Sequence, residues 1–261
     1  MAPDPNPTDP DAAMPHSSTP SSDSPPPPSE ALPASPLHGF QGDRGARPTT
    51  PCVPASLTIA VSREAGARGV SIAQRAGEKL GWQVYTQDVM EYIAHEGSFR
   101  QEVLENLTPA AGRWVQEQLG RLAFPEDAAQ GPSLRELANI ILALGAQGEV
   151  ILIGRGAGFL LPPASTLHVR FVAPLADRIA YMSQWLRLTL EEAAEQVRLR
   201  DRRRNELIET CFQARATEPY HYDLLLNSSL LGEELCADLI VQAARAKLNA
   251  RGQRPDAPVS P

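Results

Sequence analysis

The chain has 261 residues, a formal net charge of −7 and 42% hydrophobic residues, enough for one large domain or two small ones. The acidic balance argues against a general nucleic-acid binder, which is usually basic. No apolar run reaches the roughly 18 residues of a membrane span, and the start lacks the basic-then-apolar order of a secretory signal, so no membrane partner and a cytoplasmic location are expected.

Residues 1–55 hold 15 of the 25 prolines, many serines and almost no large apolar residues. Such a segment does not bury enough apolar surface to offset its ordering entropy, which predicts a disordered Pro/Ser-rich arm suited to a protein partner. The cysteines Cys52, Cys211 and Cys236 are odd in number and have no CxxC spacing. That pattern fits reduced thiols in the cytoplasm and speaks against a structural metal.

Order begins at Ser56. Leu57, Ile59 and Val61 read as a buried strand ending at Ser62. A glycine-bearing loop follows, and Ile72, Ala73, Ala76 and Leu80 then repeat at helical spacing up to Gly81. Strand, loop and helix in this order suit anion binding, because turn amides and the positive end of the helix dipole point at one place. The string G-x-x-x-x-G-K-[ST] of a phosphate-binding P-loop is nevertheless missing. With Ser71 set on its Ser/Thr, and one residue more allowed between it and the lysine position, Gly69 takes that position and Arg68 that of the preceding glycine.

Ser62, Arg63, Glu64, Gly66, Gly69, Ile72 and Ala73 carry a resemblance to the cytidylate kinase-like family of P-loop proteins. The likeness runs, with one long helical insertion, to about Lys247. It implies an α/β, P-loop NTPase-like three-layer fold over 56–249, with a parallel β-sheet of about five strands flanked by helices. It also implies ATP and Mg²⁺ as cofactors and nucleotides as partners. Donor phosphates would be held by Ser62, Arg63, Gly66, Ala67, Arg68, Gly69, Val70 and Ser71, with the Ser71 hydroxyl on the metal and Arg63 or Arg68 standing in for the missing lysine.

Trp82 to Tyr85 form the second strand candidate, and Thr86 caps a helix over Asp88–His95. Asp88 has two readings, a contact on the acceptor side or a favourable charge at a helix start. Residues 98–146 carry helical periodicity broken by Pro109, Pro125 and Pro132. This insertion suits an acceptor-binding region, or equally packing or a homodimer surface.

Val150 to Ile153 make an unbroken apolar strand, as in a parallel sheet covered on both faces. Arg155, flanked by Gly154 and Gly156, follows at the carboxyl end, where α/β proteins bind ligands. The family's GRG stands here and resembles the GRD of cytidylate kinases, which implies acceptor binding by Arg155; the plainer reading is a bridge to a carboxylate. In the next strand, Leu167–Val172, His168 reads better as structural than as a catalytic base. Arg178, in the helix opened by Pro174, approaches the nucleotide or pairs with neighbouring acids.

Thr189 and Glu192 form a capping box before the densest basic run, Arg198, Arg200, Arg202, Arg203 and Arg204. A solvated helix face is the ordinary explanation. The family's D-x-x-R element, matched by Asp201 and Arg204, implies instead a lid, with Arg198, Arg202, Arg203 and Arg204 neutralising charge on a transferred phosphoryl. Of 24 basic residues, 22 are arginine, so phosphate recognition beyond backbone amides falls to guanidinium groups. Tyr222 to Asn227 form the last strand, a helix covers Gly232–Lys247, and residues 250–261 are a frayed tail. The activity implied is transfer of the terminal phosphoryl of ATP to a pyrimidine nucleoside monophosphate such as CMP. The missing lysine keeps a catalytically impaired nucleotide-binding regulator open as the alternative.

Overall fold

The computed structural model describes residues 53–122 and 134–252. The expectations for the arm up to residue 52, for Pro125 and Pro132, and for the tail from 253 lie outside the described residues.

Five parallel strands form the sheet: β1 (Thr58–Arg63), β2 (Gln83–Tyr85), β3 (Val150–Ile153), β4 (Thr166–Val172) and β5 (Leu224–Asn227). Their spatial order is β2-β3-β1-β4-β5. Val150–Ile153 pair with Thr58–Val61 on one side of β1, and Thr166–Phe171 pair with Thr58–Arg63 on the other. Parallel neighbours need crossovers, and the helices that supply them cover both faces. That is why β3 is fully buried and carries no polar alternation.

On one face α1 (Gly69–Leu80) and α9 (Ser228–Gly252) bury Ile72, Ala76, Ile240 and Ala244 against Ile59, Val61, Ile151 and Val169. On the other, α2 (Gln87–His95), α4 (Pro109–Arg121) and α5 (Leu134–Gln147) bury Met90, Val115, Leu119, Ile141 and Leu142 against Ala60 and Leu152. Helix α3 (Gly97–Glu105) lies between α2 and α4 in sequence and buries no residue. Helices α4 and α5 of the insertion are thus part of one face of the main core, and α3 only packs the partly buried Val103 and Leu104 against it. The short helix α6 (Ala157–Leu160) follows β3, and a smaller cluster, Ala65, Met182, Ala193 and Val197, joins the loop after β1 to α7 (Leu175–Leu186) and α8 (Leu190–Phe212).

Local signals act as the sequence leads one to expect. Thr86 accepts the Val89 N–H at the start of α2, the capping box of Thr189 and Glu192 is complete, and Gly81 closes α1 in the left-handed region. A short helical turn from Ser228 precedes the last long helix, and the two meet at a kink where Gly232, with φ 75° and ψ 168°, leaves the helical region. The arginine run is not a separate short segment: α8 continues through it for 23 residues to Phe212.

Candidate active site

The loop Glu64–Arg68 joins the carboxyl end of β1 to α1, at the centre of the sheet. Its first limb is held from behind. The Ala65 N–H donates to Asp201 Oδ1 at 2.7 Å, and the Ala65 carbonyl accepts from Arg178 Nη1 at 3.1 Å. Arg178 also donates to Asp201 Oδ2 at 2.6 Å and to the Ala173 carbonyl at 3.0 Å, and lies 3.4 Å from Glu64 Oε2. Arg204 Nη1 donates to the Arg63 carbonyl at 3.3 Å. Gly66, at φ 81°, runs so close to α7 that a Cβ would stand 2.6 Å from the Arg178 carbonyl oxygen. Side chains of α7 and α8 therefore set the loop's path.

Beyond this limb the chain turns into α1 through Arg68 at φ 55°. The amides of Gly69, Val70 and Ser71 open α1 without intrahelical acceptors and present the positive end of the helix. The Ser71 hydroxyl donates to the Arg68 carbonyl at 2.9 Å, which leaves its lone pairs for a cation. The Arg68 guanidinium lies over the Tyr181 ring, 5.1 Å from its centroid, and 4.0 Å from Glu233.

Arg63 is the arginine that enters the site. Its side chain runs beneath Gly154, where a Cβ would meet Nη1 at 2.3 Å, and the left-handed backbone there, φ 88°, is what favours glycine. Burial, followed by the charge of Arg204, pushes the Arg63 pKa down to about 9, while Asp88 acts in the opposite sense. Burial also lowers Arg155, against the pull of Asp88. Arg204 is lowered by burial as well, with Arg155 among the like charges that add to it. Arg63, from β1, thus runs to the turn after β3 that carries Arg155 and takes a hydrogen bond from Arg204 of α8 on its carbonyl, and burial lowers all three guanidinium groups. Crowded, desolvated cations of this kind are stabilised by an anion.

Arg155 occupies a strained turn, with φ 88°, 52° and 71° at Gly154, Arg155 and Gly156. It lines an apolar cavity of about 30 Å³ with Leu137, Ile141, Leu160, Cys211 and Phe212. Its guanidinium pairs with Glu91 on α2. The bridge to a carboxylate is therefore present, on a side chain that also lines the cavity.

Asp88 is exposed and acts on Arg63 and Arg155 through its charge. Of the two readings of Arg178, pairing with acids is the arrangement seen: Nε and Nη1 are engaged by the loop, by Asp201 and by the Ala173 carbonyl, and the residue is 8% exposed. Of the basic run, Arg204 turns inward, whereas Arg198, Arg202 and Arg203 are exposed. Arg198 and Arg202 line an open groove between α7 and α8 that also reaches Arg178 and Asp201.

Ser62 stands in a buried relay. Its oxygen is 3.0 Å from His168 Nε2, and His168 Nδ1 is 2.8 Å from the His221 carbonyl oxygen. A carbonyl only accepts, so Nδ1 carries the proton and Nε2 accepts from the Ser62 hydroxyl. Burial lowers the His168 pKa to about 4, so the ring is neutral at ordinary pH. The structural reading of His168 fits this setting.

Among the described residues there is no cluster of three or more His, Cys, Asp or Glu able to hold a metal, and no helix is long and apolar enough to cross a membrane. Mg²⁺ carried by substrate phosphates needs only one or two protein ligands, and the Ser71 hydroxyl at the open end of α1 suits that requirement.

Comparison with known proteins adds three findings. The model of the cytidylate kinase-like family matches residues 58–230. A uronate isomerase of Corynebacterium glutamicum is 33% identical over 120 residues, 46% of this chain and 23% of that protein, so the chain spans about a quarter of that relative's length. Among solved structures, an uncharacterized protein from Eubacterium ventriosum aligns over 73% of this chain and 99% of its own, with a TM-score of 0.56 and 12% identity, a likeness of fold. A shikimate kinase from Bacteroides thetaiotaomicron aligns over 74% and 98% with a TM-score of 0.41 and 11% identity.

Proposed function

We propose a phosphoryl-transfer function for this chain, which belongs to the cytidylate kinase-like family: the terminal phosphoryl of ATP passes to a pyrimidine nucleoside monophosphate such as CMP. The observation that carries the reading is the placement of Arg63, which packs against Gly69 at the open end of α1, runs beneath Gly154 next to Arg155, and accepts a hydrogen bond from Arg204 Nη1 on its carbonyl. An oxygen of the acceptor's phosphate attacks the terminal phosphorus, the bond to the bridging oxygen of ADP breaks, and CDP forms. Almost all of the catalysis in such a reaction is positioning and charge neutralisation. Loop and helix amides from Gly66 to Ser71 hold the donor phosphates. Arg63 supplies the cation that Gly69 does not, Arg204 meets the charge spreading over the transferred group, and Arg155 binds the acceptor. Mg²⁺, when bound, offsets charge between the phosphates, with the Ser71 hydroxyl as its protein ligand.

The test is direct assay of ADP and CDP formation, with Arg155→Ala as control. The reading expects turnover that falls at least tenfold in the variant; unchanged turnover removes Arg155 from the site. Uronates belong in the acceptor panel because of the segment shared with a uronate isomerase.

A second reading, a nucleotide-binding regulator without turnover, is favoured by one observation: the arginine nearest the missing lysine, Arg68, is engaged with Tyr181 and Glu233. Calorimetry with ATP separates the two, since binding without product formation selects the regulator.

A further inference from the structure

Helix α8 carries its charge in blocks. Glu191, Glu195, Arg198 and Arg202 follow one another at spacings of four, three and four, which sets them in one stripe along the helix, and all four are exposed. None of these side chains has an ion pair or hydrogen bond among the described residues, although Glu195 and Arg198 stand where a helix permits pairing. Two acids are followed by two arginines, so the stripe is its own complement when turned end for end. Antiparallel to a second copy, with a twofold axis between Gln196 and Val197, it sets Glu195 against Arg198 and Glu191 against Arg202, each twice. A parallel arrangement would set acid on acid and arginine on arginine. Glu206 and Glu209, further along, fall past the start of the second copy's helix and meet no like charge on it.

Pairs of exposed charges set orientation more than affinity, which calls for apolar area beside them. Trp185 and Leu190, at 63% and 62% exposure, flank the turn between α7 and α8. Leu175, at 44%, borders the open groove along α8, which Val197 and the Arg178–Asp201 pair also line. The groove's residues on α8 begin at Val197, directly after the twofold axis. The axis that pairs the charges therefore also carries the α7–α8 turn of one copy to the groove of the other, with Leu190 level with Arg203, about 10 Å from the axis. Exposed large apolar side chains rimmed by charge mark a surface made for a protein partner. We propose that the chain forms an antiparallel twofold dimer through α8, with the α7–α8 turn of each copy seated on the groove of the other. In this dimer Arg198 and Arg202 face the second copy, which covers the Arg178–Asp201 pair that holds the Ala65 loop. The proposal goes beyond phosphoryl transfer and stands independently of it.

The experiment is sedimentation velocity of the full chain over a range of micromolar concentrations, at low and at high salt. Wild type is expected to sediment as a dimer that weakens as salt screens the paired charges. Glu195→Arg and Arg198→Glu each place like charges across the axis and should raise the dissociation constant by about tenfold or more. The double variant Glu195→Arg/Arg198→Glu should restore the dimer, because opposite charges face each other again. Trp185→Ser should weaken it at either salt concentration. Thermal melting of each variant separates a lost interface from a lost fold, and recovery in the double variant does so independently. A wild type that stays monomeric across the range, a dimer indifferent to both single reversals, or a double variant no better than the singles overturns the proposal.

Discussion

Asp201 reaches across 136 positions to accept the Ala65 N–H at 2.7 Å, and its second oxygen accepts from Arg178 at 2.6 Å. One carboxylate thereby ties the helix carrying the arginine run to the loop proposed to hold phosphates. Removing one member of a largely buried pair leaves the other charge uncompensated, at a cost of about 3 kcal/mol. Asp201→Ala should lower stability by about that amount in chemical denaturation, and Asp201→Asn, which keeps an acceptor for Ala65, should lose less. Equal stability of wild type and Asp201→Ala would mean that the knot does not constrain the loop.

His168 gives the chain a pH dependence of defined sign. Its folded pKa, about 4, lies below the ordinary 6.5 because burial disfavours the charged ring. The unfolded chain takes up a proton near 6.5 and the folded chain does not until about 4. The neutral-histidine contribution is therefore complete above 6.5 and is lost as pH falls toward 4, by about 3 kcal/mol in all. His168→Gln should flatten this part of the profile, measured as unfolding free energy between those pH values. A slope identical to wild type would contradict the buried neutral ring.

Much of the frame was legible in the chain because its signals are local. The apolar run Val150–Ile153 becomes a strand buried on both faces, Gly81 ends its helix, and Thr189 with Glu192 caps α8. The basic run was harder, since nothing in Arg198 to Arg204 says which side chain turns inward; packing of α8 on the loop selects Arg204. Arg178 was open between nucleotide and acid, and its partners Asp201 and Ala65 come from other elements. Glu91 had no signal at all, because its meaning comes only from the pairing of α2 with the turn after β3.

The arginines of α8 should separate in kinetics. Arg204 touches the Arg63 carbonyl and shares charge with Arg63 and Arg155, whereas Arg203 is exposed. Arg204→Ala is expected to lower kcat by about 10³-fold, the scale of losing an arginine that meets the transferred phosphoryl. Arg203→Ala should stay within about threefold of wild type, in keeping with an exposed charge. Equal losses in steady-state kcat would return the whole run to a general electrostatic role.

Gly66 tests the close approach of loop and α7. Alanine there meets both a left-handed backbone, at about 1 kcal/mol, and a backbone carbonyl that has little room to give. Gly66→Ala should therefore be destabilised by about 2 kcal/mol or more and weaken ATP binding in calorimetry. Wild-type stability and affinity would show that the loop has another path available.

The account depends first on a nucleotide being held where β1 turns into α1. The most direct measurement is a ¹H–¹⁵N NMR titration of the full chain with a non-hydrolysable ATP analogue and Mg²⁺. The amides of residues 62–72 are expected to shift together and saturate, with those around Arg155 and Arg204 following. Amides of 62–72 left in place at millimolar analogue would contradict it.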